Sequence, residues 1–598
     1  MSMGQIVLGI LLFALVTAIL YVWGLRKSVG QSADLNRILL SRCGSRVVRY
    51  LKQRDTVTEK EMARLIDGVT AGEFWSRNRL TVQDPKQFVG EVITFLLNQQ
   101  YIEPAGNHAY RLKNKERTNM AVLEHLEPKG VFRFFEELCA IPHGSGNTRA
   151  VSDWLVAFAE ERGLEVHRDK LNNVIIIKEA TPGYEAAEPV ILQGHVDMVC
   201  ERAADCTKDM AREGLDLAVD GDSIYARGTT LGGDDGIAVA MALAILDDAQ
   251  LSHPRVEAVF TVDEEIGLLG AADIDVTPLK GRRMLNMDSE AEGIFTVSCA
   301  GGNLTKCTLP LTREAYAGTV LTITVGGLQG GHSGAEIDKG RGNSNQLMGR
   351  VLSAVNRETE LRLLSVDGGQ KDNAIPLETT AVLAVESADA ARQACEKMDR
   401  VLKNEYQVTD PAVFVAVEQG EAQSLPMDAD STGRVLCLLV CAPNGIQAMS
   451  ADIPGLVQTS LNLGILATGA EKLEASFCVR SSVGTQKEML VERLRTLTAQ
   501  LGGRTEVFGD YPGWEYCRDS VLRELMVEVF TEQYGYAPKI EAIHAGLECG
   551  MFADKLPGLD CVSVGPDMTD IHTCREKMSI SSVQRVWSMT VELLARMK

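Results

Sequence analysis

The 598-residue sequence lacks any paired cysteine spacing, although it holds 14 cysteines. Scattered thiols exclude a disulfide-stapled secreted scaffold and suit a reducing compartment. An excess of basic residues is also lacking: 60 Lys and Arg stand against 81 Asp and Glu, a formal net charge of −21. That balance argues against non-specific nucleic-acid binding by the whole chain. Charge is missing altogether from residues 2–25, and no Lys or Arg precedes that run. A cleavable signal peptide would carry a basic start and a small-residue cleavage site, and neither stands out here.

What is present begins with that uncharged run. About 20 apolar residues suffice to cross a bilayer as a helix, so residues 1–27 are expected to form a transmembrane anchor. Arg26 and Lys27 follow at once, with Arg37, Arg42, Arg46 and Arg49 beyond them. The basic flank predicts that the rest of the chain faces the cytoplasm. Hydrophobic content of 45% and charged content of 24% are ordinary for a globular protein. The length predicts several domains.

Residues 28–119 have a different character, with 15 basic and 10 acidic side chains. Residues 47–52 read as a helix. A second helix is expected from Thr58, with Glu61 three residues on completing a capping box. A third is expected over 85–99 and a hairpin over 101–112. This order resembles a small winged-helix module. Nucleic-acid or partner binding and a plain packing or protein-interaction role both fit it; the lack of a base-reading motif favours the second.

From about residue 120 the pattern becomes α/β. A helix over 147–163 leads to strands over 174–178 and 189–193, a helix over 236–247, and strands over 256–262 and 283–287. Alternating strands and helices predict a mainly parallel sheet flanked by helices, with working residues at the carboxyl ends of the strands. Polar residues collect there. His195 and Asp197 are two apart and share a face. Asp234 sits in the glycine-rich turn Thr230-Leu231-Gly232-Gly233-Asp234-Asp235-Gly236. Two further strands end in Asp263-Glu264-Glu265 and Asp288-Ser289-Glu290, and His572 follows the apolar run 561–564. Imidazole and carboxylate together suit zinc better than magnesium, which prefers oxygen and water. Each piece alone has a bland reading: a structural His-x-Asp pair, a solvated Glu-Glu turn, a helix cap at Asp288. Their joint occurrence at strand ends favours a metal site.

Several runs then carry a resemblance: Leu192-Gln193-Gly194-His195-Val196-Asp197-Met198-Val199-Cys200-Glu201, Gly228-Thr229-Thr230-Leu231-Gly232, Cys299-Ala300-Gly301-Gly302, Gly330-Gly331-His332-Ser333-Gly334, Asn373-Ala374-Ile375-Pro376, Arg480-Ser481-Ser482-Val483 and Ile543-His544-Ala545-Gly546-Leu547-Glu548-Cys549-Gly550. Over about residues 120–598 the chain resembles the co-catalytic di-zinc exopeptidases, in their aminoacyl-histidine dipeptidase (carnosinase-like) branch. The resemblance implies two Zn2+ per subunit and a dipeptide substrate. His195 and Asp288 would share one ion, Glu265 and His572 the other, and Asp234 would bridge both. Asp197 would hold and polarise His195, and Glu264 would be the general base.

The same resemblance divides the chain into a catalytic domain over 120–302 and 487–598 and an inserted α+β lid over 303–486. The lid would supply His332 as an oxyanion donor, with Asn373 and Arg480 binding substrate; His544 and Gly546 belong to the substrate-binding set. Arginine suits a terminal carboxylate because its planar fork donates two parallel hydrogen bonds. Two positions depart from the family pattern. Asp235 stands where Asn is usual, and Thr573-Cys574-Arg575-Glu576 follows the late histidine in place of Ser-Pro-Asp-Glu. Alternatives are an N-acyl amino acid amidohydrolase using the same site, and a membrane-tethered regulator that retains the peptidase fold. A homodimer is compatible with these features.

Overall fold

Leu39, Cys43, Val47 and Leu51 are all buried, and their i, i+4 spacing makes one apolar stripe of a helix. In the computed structural model the described residues are 39–112 except 41, 45, 49, 52, 53, 55, 73–78, 99, 100 and 107, and 122–598 except 423. The chain divides into two units, residues 1–121 and 122–598. The expected transmembrane anchor falls in residues 1–27, outside the described residues. Among the described residues no helix is long and apolar enough to cross a membrane.

In the first unit, helix Glu59–Leu65 starts at the expected capping box. The Thr58 hydroxyl accepts the Glu61 N–H while the Glu61 carboxylate accepts the Thr58 N–H. Helix Pro85–Asn98 and hairpin Ile102–Gly106/Ala109–Leu112 follow where the sequence places them. An additional short hairpin, Thr70–Gly72 with Arg79–Thr81, precedes that helix.

The second unit has two large sheets. The first has strands β1 Glu165–Arg168, β2 Val174–Lys178, β3 Val190–His195, β4 Val256–Thr261, β5 Arg283–Asn286, β6 Ile294–Cys299, β7 Lys539–Ile543 and β8 Asp560–Ser563, in the order β7-β6-β8-β5-β3-β4-β2-β1. Its centre is parallel: β3 pairs in parallel with β4 and β5, and β5 with β8. Every residue of β3 and β4 is buried, as expected of strands covered on both faces. The sheet is mainly parallel as expected, β6 also pairing in parallel with β7, but antiparallel pairs occur in it too. β2 meets β4 antiparallel, β1 and β2 form an antiparallel hairpin, and β6 touches β8 antiparallel. β1 reaches β2 through a short turn that leaves no room for a crossover helix.

Register decides where the chemistry lies. His195 is level with Thr261, and Gln193 is level with Asn286 and Val259. The loops that follow β3, β4 and β5 therefore leave the sheet at one edge. Helix Gly233–Asp247 is buried along Gly233–Leu246. Apolar side chains on all its faces let it pass through the core.

The second sheet has nine strands, from Gly301–Pro310 to Arg504–Tyr511. Its pairings are antiparallel. Helices such as Ser344–Glu358 and Ala429–Cys441 bury their apolar faces against it. This sheet lies in the residues expected to form the lid, and it continues past the expected end at residue 486. Strand Arg504–Tyr511 hydrogen-bonds to Gly301–Pro310. Most of its residues are exposed, so no hydrophobic alternation marks it as part of that sheet.

Candidate metal centre

His195 ends β3, and its ring is buried. Nδ1 lies 3.0 Å from the main-chain oxygen of Asp197 and 3.6 Å from its Oδ1, which turns Nε2 toward the carboxylates. Nε2 is 3.3 Å from Oδ1 of Asp234 and 3.8 Å from Oδ1 of Asp288. The other oxygen of Asp234, Oδ2, is 3.1 Å from Nε2 of His572. That same nitrogen lies 2.9 Å from Oε1 of Glu265. The five expected ligands thus converge, with Asp234 between the two histidines.

The arrangement fits a bound cation. Ligand atoms of His195, Asp234 and Glu265 lie within 4.8 Å of one another, as do those of His195, Asp235 and Asp288. Oε1 of Glu265 is buried and makes no hydrogen bond, although Nε2 of His572 is close. A buried carboxylate oxygen that no donor reaches is an atom that a cation would complete. The carboxylates of Asp234 and Glu265 push His572 up to about 10. Burial opposes a charged His195, yet Asp197 and Asp234 raise it well above the ordinary histidine value. Imidazole nitrogen with carboxylate oxygen is a zinc-type donor set.

Asp197 serves two elements. Besides bracing His195, its carboxylate accepts the backbone N–H of Glu264 at 3.0 Å, that of Glu265 at 3.4 Å, and the Ser145 hydroxyl at 2.8 Å. Asp263 takes φ +56° in this turn, and its Oδ1 accepts the Gly146 N–H at 2.6 Å. Burial pushes the Glu264 carboxyl up to about 8; His195 opposes the shift, while Glu548 and Glu265 add to it.

The sequence from 191 to 596 matches the model of peptidase family M20/M25/M40. The chain belongs to that family. A cytosol non-specific dipeptidase of Escherichia coli (strain K12) is 36% identical over 479 residues, covering 79% of this chain and 99% of that protein. The crystal structure of an aminoacylhistidine dipeptidase from Vibrio alginolyticus is similar at TM-score 0.76 and 36% identity, over 79% of this chain and 97% of that one. This member of the M20/M25/M40 family is a metal-dependent peptidase of the dipeptidase type.

Among the remaining expected residues of this M20 peptidase, His332, Asn373 and Arg480 fall in the residues expected to form the lid, and His544 and Gly546 follow β7 of the first sheet. His332 pairs with Ala374 across a two-stranded ladder, which places Asn373, exposed, next to it. Nδ1 of His332 accepts the N–H groups of Gly334 and Ala335 at 3.2 and 3.0 Å, so Nε2 carries the proton. Burial, then the charge of Arg480, lowers the His332 pKa and keeps the ring neutral. Arg480 gives one N–H to the Tyr511 hydroxyl at 3.2 Å, and its Nε is buried without a partner. His544 meets the Ser460 hydroxyl through Nε2 at 2.7 Å, and its Nδ1 is likewise buried and unpartnered. A Cβ on Gly334 would lie 2.5 Å from the His544 main-chain oxygen, so only glycine allows this approach of lid to catalytic sheet. Gly546 is similarly close to the Tyr511 ring, at 2.9 Å. A cavity of about 620 Å3 opens beside His544, between loop 453–457 and β7. None of the five metal-facing residues lines it.

Sequence reasoning missed several participants. Ser145, Tyr511 and Ser460 carry no local motif. Glu548 lies inside the quoted run 543–550 but received no role. It is fully buried, and its Oε2 accepts from Gln193 Nε2 at 2.5 Å and Thr261 Oγ1 at 2.6 Å. Asn286 donates in turn to Gln193 at 2.6 Å, so one network ties β3, β4 and β5 below the site. Asp235 accepts the His195 N–H at 3.2 Å. Burial, then the negative Asp288, pushes its carboxyl well above the usual range.

Proposed function

We propose that the chain hydrolyses dipeptides, of Xaa-His type or broadly, at a pair of zinc ions held by His195, Asp234, Glu265, Asp288 and His572. The observation that carries this reading is the placement of Asp234, with one carboxylate oxygen toward each histidine. Bound zinc lowers the pKa of a coordinated water to about 7 and polarises the scissile carbonyl.

The chain's own residues supply the rest. Glu264 would accept the water's proton on its carboxylate and return it to the leaving amine nitrogen. Asp197 keeps the Glu264 main chain in place. His332 donates its Nε2 proton to the carbonyl oxygen as negative charge develops there. Arg480 and His544 offer buried, unused ring and guanidinium nitrogens, the type of donors that hold a free carboxylate. A dipeptide ends in one within reach of its single peptide bond, and this distinguishes it from longer peptides. Asn373 stands beside His332 to contact the substrate backbone.

The first unit is proposed to be a winged-helix-like packing or protein-interaction module, supported by its order of helices and hairpins. Residues 2–25 are proposed as its membrane anchor, with Arg26 and Lys27 on the cytoplasmic side; the sequence alone supports that.

The deciding experiment incubates zinc-loaded protein with a dipeptide panel and with N-acetyl amino acids. Hydrolysis of dipeptides, with N-acetyl amino acids left intact, is expected. Preferential deacylation would replace the dipeptidase reading by the amidohydrolase one.

A further inference from the structure

His572 and Asp234 come from segments far apart in the chain. His572 takes φ +59° and Asp570 φ +52°, a left-handed conformation that L residues adopt reluctantly. Within this loop Thr573 donates to the Asp570 carbonyl, and the Glu576 N–H reaches the Thr573 carbonyl at 3.1 Å. The Arg575–Asp570 ion pair is exposed, at 3.7 Å, and such pairs contribute little. On the other side Asp234 follows Gly232, at φ +67°, and Gly233. This turn has backbone N–H groups that the helix it begins cannot satisfy.

One buried side chain joins the two. Glu576 is 3% exposed. Its Oε2 accepts the N–H of Leu231 at 2.8 Å and of Gly232 at 3.2 Å, and its Oε1 accepts that of Gly233 at 2.8 Å. The fit is close: a Cβ on Gly233 would lie 3.3 Å from Oε1 of Glu576 and 3.0 Å from Sδ of Met568. Three charge-assisted bonds to consecutive N–H groups fix both the position and the rotation of the turn. The residue after those three is Asp234, and four residues before Glu576 is His572.

We infer that Glu576 is a positioning residue for the metal pair: its carboxylate ties the His572 loop to the Asp234 turn and so sets the shared edge of the site. This rests on the metal assignment proposed above.

The test is titration of zinc chloride into the metal-stripped full-length protein, with a competing chelator, for wild type, Glu576→Gln and Gly233→Ala. An amide at 576 presents one N–H2 group to the row of donors, so it cannot accept all three bonds. Glu576→Gln is expected to weaken the zinc site that uses His572 at least tenfold and to weaken the second site as well, since Asp234 serves both. Turnover should return when zinc is raised, with KM for a dipeptide unchanged at saturating metal. Gly233→Ala keeps the carboxylate but crowds it, and should weaken the same site less; it serves as well if Glu576→Gln does not fold. A purely structural cap would lower the melting temperature and leave both zinc affinities of the folded protein at wild-type values, and that result in either variant overturns the inference. If wild type binds no zinc, or His572→Ala keeps both affinities, the metal assignment itself falls and this inference with it.

Discussion

Glu264 donates its backbone N–H to Oδ1 of Asp197 at 3.0 Å, so the residue that braces His195 also holds the main chain of the proposed base. Loss of one or the other should leave different signatures. Glu264→Ala is expected to bind zinc as wild type does and to lose hydrolysis by about 100- to 10,000-fold. Asp197→Ala should lower zinc affinity and turnover together. Near wild-type kcat for Glu264→Ala at saturating zinc would remove it from the role of base.

Glu265 faces a metal position and Glu264 does not share that task. Glu265→Ala should therefore lose affinity for one ion, and chelation of the wild type should abolish hydrolysis until zinc is restored. Diffraction from zinc-loaded crystals should place two ions about 3.5–4 Å apart. A single ion, or ions distant from Asp234, would contradict the bridging arrangement.

Arg480→Lys should raise KM for dipeptides well beyond its effect on kcat, because an ammonium group cannot reproduce the two parallel bonds of the guanidinium. Steady-state kinetics at saturating zinc reads the split. An unchanged KM would mean that the substrate carboxylate is held elsewhere.

The acid side of the stability profile should depend on Glu292. Burial alone would raise its pKa, but Arg585, Tyr534 and Ser582 outweigh it and the net shift is downward. Arg585 contacts it through both Nε and a terminal nitrogen. A depressed folded-state value contributes stability that is present above the unfolded value, about 4.3, and is lost as pH falls through the folded value. Glu292→Gln should thus cost about 1 kcal/mol at neutral pH, with the difference shrinking below pH of about 4. Urea melts across that range check it; a gap that widens on acidification would reverse the sign.

Removal of residues 1–27 should release a soluble protein with unchanged kcat and KM, since no residue of the proposed site precedes Ser145. Fractionation and assay of both forms test this. Activity lost with the segment, in folded protein, would tie it to catalysis.

Legibility followed physical contrast. β3 and β4 stand out in the sequence as apolar runs that end in charge, and their shared register is why His195, Glu264 and Glu265 could be placed together. Helix Gly233–Asp247 is equally plain, being apolar throughout after two aspartates. β1, with the residues Glu-Val-His-Arg, has no such contrast, and the exposed strand Arg504–Tyr511 follows no alternation. Tyr511 and Ser145 act through single hydroxyl groups brought across the fold. No spacing rule connects Tyr511 with Arg480, 31 residues earlier, or Ser145 with Asp197, 52 residues later.

The chain leaves the first sheet after β6 and re-enters it at β7, with the whole lid sheet in between. Four of the five metal-facing residues are therefore made before the lid and the fifth, His572, after it. Biosynthesis acquires a built-in delay. On the proposed assignment, a ribosome-bound chain that has completed β3, β4 and β5 still lacks one imidazole, and the second sheet is translated before that imidazole is made.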